Sequence, residues 1–382
     1  MKSINKILSI LLVLVATAAM VTSCKKDSSS GGTPVVNYVR ITSPESSDSL
    51  LAGAGQGQLI AIVGDNLQDA REVWFNNQKA TLTPTYISKT SILASVPSQI
   101  PDSITNLLTI IFKDGYKLEY PFEVQISKPY IASAECEYVP EGGSLVIHGD
   151  YFYAPVTVTF TGGAVGEVTE ISTDNKLLTV KVPAGVQPGP ITVGTNFGES
   201  ESDFWFNDNR NIFISSDPYE GWWNASYVVS NPLPGEPPKI NGNYIHVAKF
   251  MGSWSWNEIA GGPASAMPQQ SKNIPDDAIL HPEKYDFKFE INTLKPYDGS
   301  TIRINAALNK EDNDHYQWQP PYDTKGEWKT VVIPWEEIVA SYTVKPVVNP
   351  DGYWSRILMQ GPAELECDIC FDNFRIVPKI KQ

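Results

Sequence analysis

The chain is poor in sulfur, imidazole and positive charge. It has four cysteines and four histidines in 382 residues. Beyond Cys24 only Cys136, Cys367 and Cys370 remain, too few and too odd a number for a disulfide framework. If Cys367 and Cys370 share a strand, their side chains point to opposite faces about 10 Å apart. That is beyond the reach of a bridge, so buried free thiols are expected. The histidines form no cluster and no triad in the sequence, so neither a metal nor a cofactor is expected. Lys and Arg total 29 against 43 Asp and Glu, a formal charge of −14. Such a balance argues against a nucleic-acid partner, whose binders displace counterions with clustered Lys and Arg. After residue 21 no apolar run approaches the roughly 20 residues that a membrane span requires.

What is present begins with a leader. Lys2 and Lys6 precede an apolar run from Ile7 to Val21, then Val21-Thr22-Ser23-Cys24. A basic segment, a short apolar run and small residues before a cleavage point describe a secretory signal over residues 1–23. A cysteine directly after the small residues resembles a bacterial lipoprotein signal, which implies lipidation of Cys24. The polar, Gly- and Ser-rich stretch after it reads as a flexible tether over 24–34. Its Lys25-Lys26-Asp27 start resembles the export signals of Bacteroidetes surface lipoproteins. Lipid would be the only membrane attachment.

An internal repeat follows. Gly57-Gln-Leu-Ile-Ala-Ile-Val-Gly64-Asp65-Asn-Leu67 returns as Gly142-Gly-Ser-Leu-Val-Ile-His-Gly149-Asp150-Tyr-Phe152. Each copy continues with an alternating strand, Glu72 to Phe75 or Val156 to Phe160. Each then shows a strand ending in Val-Pro, at Pro97 or Pro183, and a further strand, Leu107 to Phe112 or Pro190 to Gly194. Short period-two strands punctuated by Gly, Pro, Asn and Asp predict all-β sandwiches. The copies resemble immunoglobulin-like IPT/TIG domains, over 35–127 and 128–207. Their apolar residues are accounted for as sandwich cores, so a stalk is the expected role. A ligand surface at Trp74 or Tyr151-Phe152-Tyr153 is the alternative.

From about Asn209 the pattern changes. Strand-like runs at 211–215, 243–250, 285–291, 301–308, 328–333 and 370–377 are joined by long loops, with a short helical turn at Trp335 to Ser341. This predicts a larger, jelly-roll-like sandwich over 208–382. Eight of the ten tryptophans lie here, more than a core of this size needs. Indoles are flat, rigid apolar faces with one polar handle, suited to stacking on sugars. In Trp254-Ser255-Trp256 the two rings would share a side if the segment is extended. With Ile245, Val247 and Met251 in the opposite phase, that side would be outward. Two core indoles at a strand end is the competing reading. Of Trp222 and Trp223, at most one should meet ligand while its neighbour anchors the segment; Trp223 is the one that the family resemblance given below implies. Trp318 sits among His315, Tyr316, Gln317 and Gln319, rings beside amides as a ligand site requires; a loop packed by its own rings fits equally. Trp328 and Trp335 read as structural, and Tyr353-Trp354 remain open. The expected glycan-binding set is thus Trp223, Trp254, Trp256 and Trp318.

The lipoprotein start, the tandem IPT-like copies, Gly326-Glu-Trp-Lys-Thr-Val-Val-Ile-Pro334 and the closing Ile369-Cys-Phe-Asp-Asn-Phe-Arg-Ile376 resemble the Bacteroidetes surface glycan-binding proteins. The group whose last domain is of xyloglucan-binding type is the nearest in pattern. That resemblance implies a non-catalytic, lipid-anchored protein on the outer face of the outer membrane. It would hold a neutral plant or microbial polysaccharide beside a starch-utilisation-type importer. A surface adhesin with a protein partner is the alternative. A glycoside hydrolase is the other, but it needs two carboxylates roughly 5 to 10 Å apart. Neither Glu336-Glu337, Asp312-Asn-Asp314 nor Asp276-Asp277 sits in a catalytic setting. Asp312 to Asp314 reads as a solvated turn before a calcium loop.

Overall fold

The computed structural model describes residues 32–46, 48–319 and 322–380. The signal at 1–23, Cys24 and the tether as far as residue 31 lie outside the described residues. The chain divides into two compact units, Met1–Ile126 and Ser127–Gln382.

The first unit holds one copy of the repeat. A three-stranded sheet, Val35–Ile41, Leu59–Asp65 and Ser91–Ser95, faces a four-stranded sheet of Gln78–Lys79, Ala70–Phe75, Leu107–Phe112 and Lys117–Pro121. Period-two alternation becomes burial directly. Leu108, Ile110 and Phe112 point into the core while Leu107, Thr109 and Ile111 do not. The second unit opens with the second copy. Its strands include Ser144–Asp150, Thr157–Phe160, Leu177–Lys181 and Ile191–Thr195, around Leu145, Ile147, Val158, Val180 and Val193.

The repeated Gly-Asp has one physical reason in both copies. A Cβ added to Gly64 would stand 1.9 Å from the Val35 carbonyl oxygen, and one on Gly149 would stand 1.9 Å from that of Tyr130. Each glycine meets the neighbouring strand beside a register shift, Val36/Tyr38 in one copy and Ile131/Ser133 in the other. The chain then turns through a left-handed residue, Asn66 or Tyr151. Gly149→Ala should therefore lower stability by about 1–3 kcal/mol through forced backbone displacement. A drop in the urea midpoint of the second unit, with Gly64→Ala doing the same in the first, is the expected result.

The rest of the second unit is a two-sheet sandwich. One sheet runs Val228–Val229, Tyr244–Met251, Leu365–Pro378, Tyr285–Thr293, Lys329–Pro334, with Ile212–Ile214 also pairing on Leu365–Pro378. The other runs Asn257–Gly262, Trp354–Met359, Ile302–Leu308, Tyr316–Trp318. Between them lie Val247, Phe287, Phe289, Ile291, Ile304, Ile357, Phe371 and Phe374. Two short helices, Asp276–Leu280 and Trp335–Ser341, close one flank. Trp335 is fully buried there and donates its indole N–H to the Ala278 carbonyl at 2.9 Å.

The outer face of the first of these sheets is covered by the second copy. Lys288, Glu290 and Arg375 alternate with core residues along their strands, and they are buried. Glu137, from the loop after Tyr130–Ala134, receives Lys288 Nζ at 2.6 Å and Arg375 at 2.7 Å. Arg375 also grips both oxygens of Glu290, at 2.7 and 3.0 Å, and Thr330 Oγ1 donates to Glu290 at 2.9 Å. Burial raises the Glu290 pKa, with Arg375 opposing the shift. Cys136 and Tyr138 pack on Tyr244, Trp328 and Cys370 around this cluster. Cys367 belongs instead to the sandwich core, so the two thiols do face opposite ways. Both are free and buried, and burial pushes the Cys367 thiol up to about 12.

Candidate functional site

Three of the exposed large hydrophobics are tryptophans, and all three gather around one strand. Asn257–Gly262 is an edge strand, hydrogen-bonded on one side to Trp354–Met359. Along its other side runs the segment with Trp222. The Trp222 amide donates to the Gly261 carbonyl at 2.9 Å, and the Asn224 side chain donates to the Glu258 carbonyl. The approach is close enough to require glycine at both positions: a Cβ on Gly221 would stand 2.6 Å from Gly261 O, and one on Gly261 would stand 2.2 Å from Ser355 O.

Trp222 is 56% exposed. Trp223 is half-buried against the sandwich core, its ring edge-on to Trp222 at 5.7 Å. The pair does split, but the open ring is Trp222, while the sequence reading chose Trp223. At the strand's other end a turn from Gly252 to Ser255 carries Trp254 in a left-handed conformation, φ 58°. Trp254 is 60% exposed and Trp256 47%. Both rings are outward, but a turn places them there and not an extended segment. The strand ends at Met251, and Trp254 is pinned through its backbone to Gln360 and Gly361.

Trp256 is held as no other exposed ring is among the described residues. Its indole N–H donates to Glu258 at 3.0 Å. The Arg356 guanidinium lies 4.9 Å from its ring centroid and 4.8 Å from that of Trp354. Arg356 is 4% exposed, and burial pulls its pKa down against the raising pull of Glu258 and Glu311. A cation stacked between two indoles fixes both ring planes.

Trp318 is not brought to this group. In the short strand Tyr316–Trp318 it turns toward the core, 5.7 Å from Phe289 and 5.2 Å from Tyr322. Gln317 takes the outward phase instead. Trp328 and Trp354 are buried. In the upstream copies, Phe152 is core and Tyr153 packs on Tyr151 and Phe197. Trp74 is engaged by Glu72 and Lys79.

The carboxylates read as structural. Asp314 accepts from the Thr343 and Val344 amides and the Thr343 hydroxyl, and the Val344 amide leads in holding its pKa low. Asp277 accepts from Tyr285, and Glu336 pairs with Lys379. Among the described residues no three His, Cys, Asp or Glu lie together as metal ligands would. No helix of the described residues is long and apolar enough to cross a membrane.

Residues 206–378 match the family model described as the surface glycan-binding protein B xyloglucan binding domain. An IPT/TIG domain-containing protein of Bacteroides ovatus is 26% identical over 329 residues, 78% of this chain and 66% of its own length. Among solved structures, surface glycan-binding protein B of Prevotella bryantii superposes with a TM-score of 0.66 at 22% identity, covering 91% of this chain and 99% of that one. The corresponding protein from a complex xyloglucan utilization locus in Bacteroides uniformis gives 0.51 at 18% identity, over 91% and 100%. These two likenesses concern the fold: all-β, with immunoglobulin-like domains ahead of the terminal sandwich. The signature of the surface glycan-binding protein B xyloglucan binding domain thus runs from residue 206 to 378, and the chain as a whole is similar to surface glycan-binding proteins of the B type.

Proposed function

We propose that this protein captures a neutral polysaccharide at the cell surface without cleaving it, through the indoles around the Asn257–Gly262 strand. The observation that carries this reading is the clamping of a solvent-facing indole, Trp256, by Glu258 and Arg356. A ring kept open to water yet fixed in orientation is prepared for a flat partner before that partner arrives. Trp222 and Trp254 extend the apolar surface, and Trp223 supports Trp222 from beneath. Trp318 is assigned to packing. The family model's own description makes xyloglucan and related β-glucans the first ligands to test.

Lipidation at Cys24 would hold the protein on the outer membrane, and the first two domains would carry the site away from it. Delivery to a starch-utilisation-type importer completes the proposal. Affinity electrophoresis of the protein lacking its lipid, against β-glucan, xyloglucan, mannan and xylan, tests the binding. Retardation in at least one gel with no release of reducing sugar is expected. Free migration in every gel would sink the reading, and sugar release would replace it with hydrolysis.

A further inference from the structure

We infer that the glycan site continues from Trp256 across the outward face of the four-stranded sheet, where Arg303 reads sugar hydroxyls. This rests on the glycan-binding reading above. Ile302, Ile304, Ile357 and Met359 face the core, so Arg303, Arg356 and Leu358 point to the other side. Strand register sets four residues in one row; Leu358 in it is buried, so the groups open to solvent are Glu258, Arg303 and Gln317. Glu258 opposes Leu358, Leu358 opposes Arg303, and Arg303 opposes Gln317. Neighbouring strands lie ~4.8 Å apart, so the row spans about 14 Å, a length suited to a short oligosaccharide. Trp256 stands at the Glu258 end, bonded to that carboxylate.

Arg303 is half-buried, and among the described residues it makes no hydrogen bond and no ion pair. Its neighbour Arg356 is almost fully buried, with no polar contact shorter than 3.4 Å: 3.6 Å to Glu258 and 3.4 Å to the Asp312 carbonyl. The Nε atoms of both arginines are buried without partners, and so is Oδ1 of Asn305, opposite Arg356. Buried polar atoms without partners are rare in native folds. Two guanidiniums whose fields oppose each other, in a chain with 43 acidic side chains to pair with, are a costly arrangement for the free protein. Of these groups the Arg303 guanidinium, on a half-buried side chain, is the one that a ligand's acceptors can reach. Glu258 and Gln317 add acceptors at either end of the row, so donors and acceptors alternate as a polyhydroxylated chain requires. In this arrangement Arg303 and Gln317 touch the sugar, and Arg356 is a positioning residue acting through Trp256.

The test compares Arg303→Met and Gln317→Ala with Trp256→Ala, using the polysaccharide that retards the wild type. Arg303→Met should weaken retention at least fivefold and Gln317→Ala about threefold. Arg303→Met should also raise the thermal midpoint, since an unpaired cation beside another is removed. If Arg303→Met binds as the wild type does while Trp256→Ala does not, the extended site is wrong and the aromatic site stands. A fall in the midpoint would show Arg303 to be a structural partner, and would overturn the inference. A wild-type chain retarded by no polysaccharide overturns both readings.

Discussion

Trp256→Ala should lower glycan retention roughly thirtyfold or more while leaving the thermal midpoint nearly unchanged. The ring is half open to solvent, so its loss removes little of the sandwich core. A central aromatic anchor at a binding surface is worth ~2 kcal/mol or more when truncated, and each 1.4 kcal/mol is about tenfold. Trp222→Ala should act in the same direction with smaller effect, because its ring lacks the stacked guanidinium beneath it. Trp318→Ala should do the reverse, costing stability through its contacts with Phe289 and Tyr322 and sparing binding in whatever remains folded. Affinity electrophoresis beside thermal melts separates the three. Equal retention by Trp256→Ala and wild type would remove the clamped indole from the site.

Arg375→Met should destabilise the second unit by about 3–5 kcal/mol, the range for breaking a fully buried ion pair from one side. The loss does not measure the strength of the pair. It reflects Glu290 and part of Glu137 left charged in a place without water. Replacing Glu290 as well, in Arg375→Met/Glu290→Leu, should recover part of the loss, since a well-packed apolar pair is often as stable as a buried ionic one. Urea denaturation of the wild type, Arg375→Met, Glu290→Leu and the double variant gives the cycle. Little response of the wild-type midpoint to salt is expected, as buried pairs are weakly screened. A single-variant loss under 1 kcal/mol would mean that water reaches the cluster.

Much of this architecture was legible because its causes are local. Gly64-Asp65 and Gly149-Asp150 announce themselves as turns whatever surrounds them. The alternation at Leu107 to Phe112 decides which residues are buried before any partner strand is known. The site was legible in part. Two adjacent tryptophans must diverge, but which one opens to solvent depends on how Glu220 to Asn224 lies along a strand far downstream. That strand, Asn257–Gly262, is not among the runs that the sequence announces, since it is short and closes on two glycines. Trp318 faces inward because it pairs with Ile302, a fact of register that no neighbour in sequence records. The least legible feature was the buried charge. Lys288 and Glu290 alternate with Phe287, Phe289 and Ile291 in the pattern of a strand with one wet face. Only the docking of the second copy makes that face dry.

That dry, charged seam bears on how such proteins are inherited. Tandem modules are commonly treated as beads that recombination can cut, copy and rejoin at their borders. A cut near residue 207 would strip Glu137 from Arg375 and Lys288, exposing a surface that has lost its counter-ion. A copy of the upstream module pasted in its place would need the same glutamate in the same loop to be accepted. The second copy and the terminal sandwich of this chain are therefore one structural unit, beginning at Ser127.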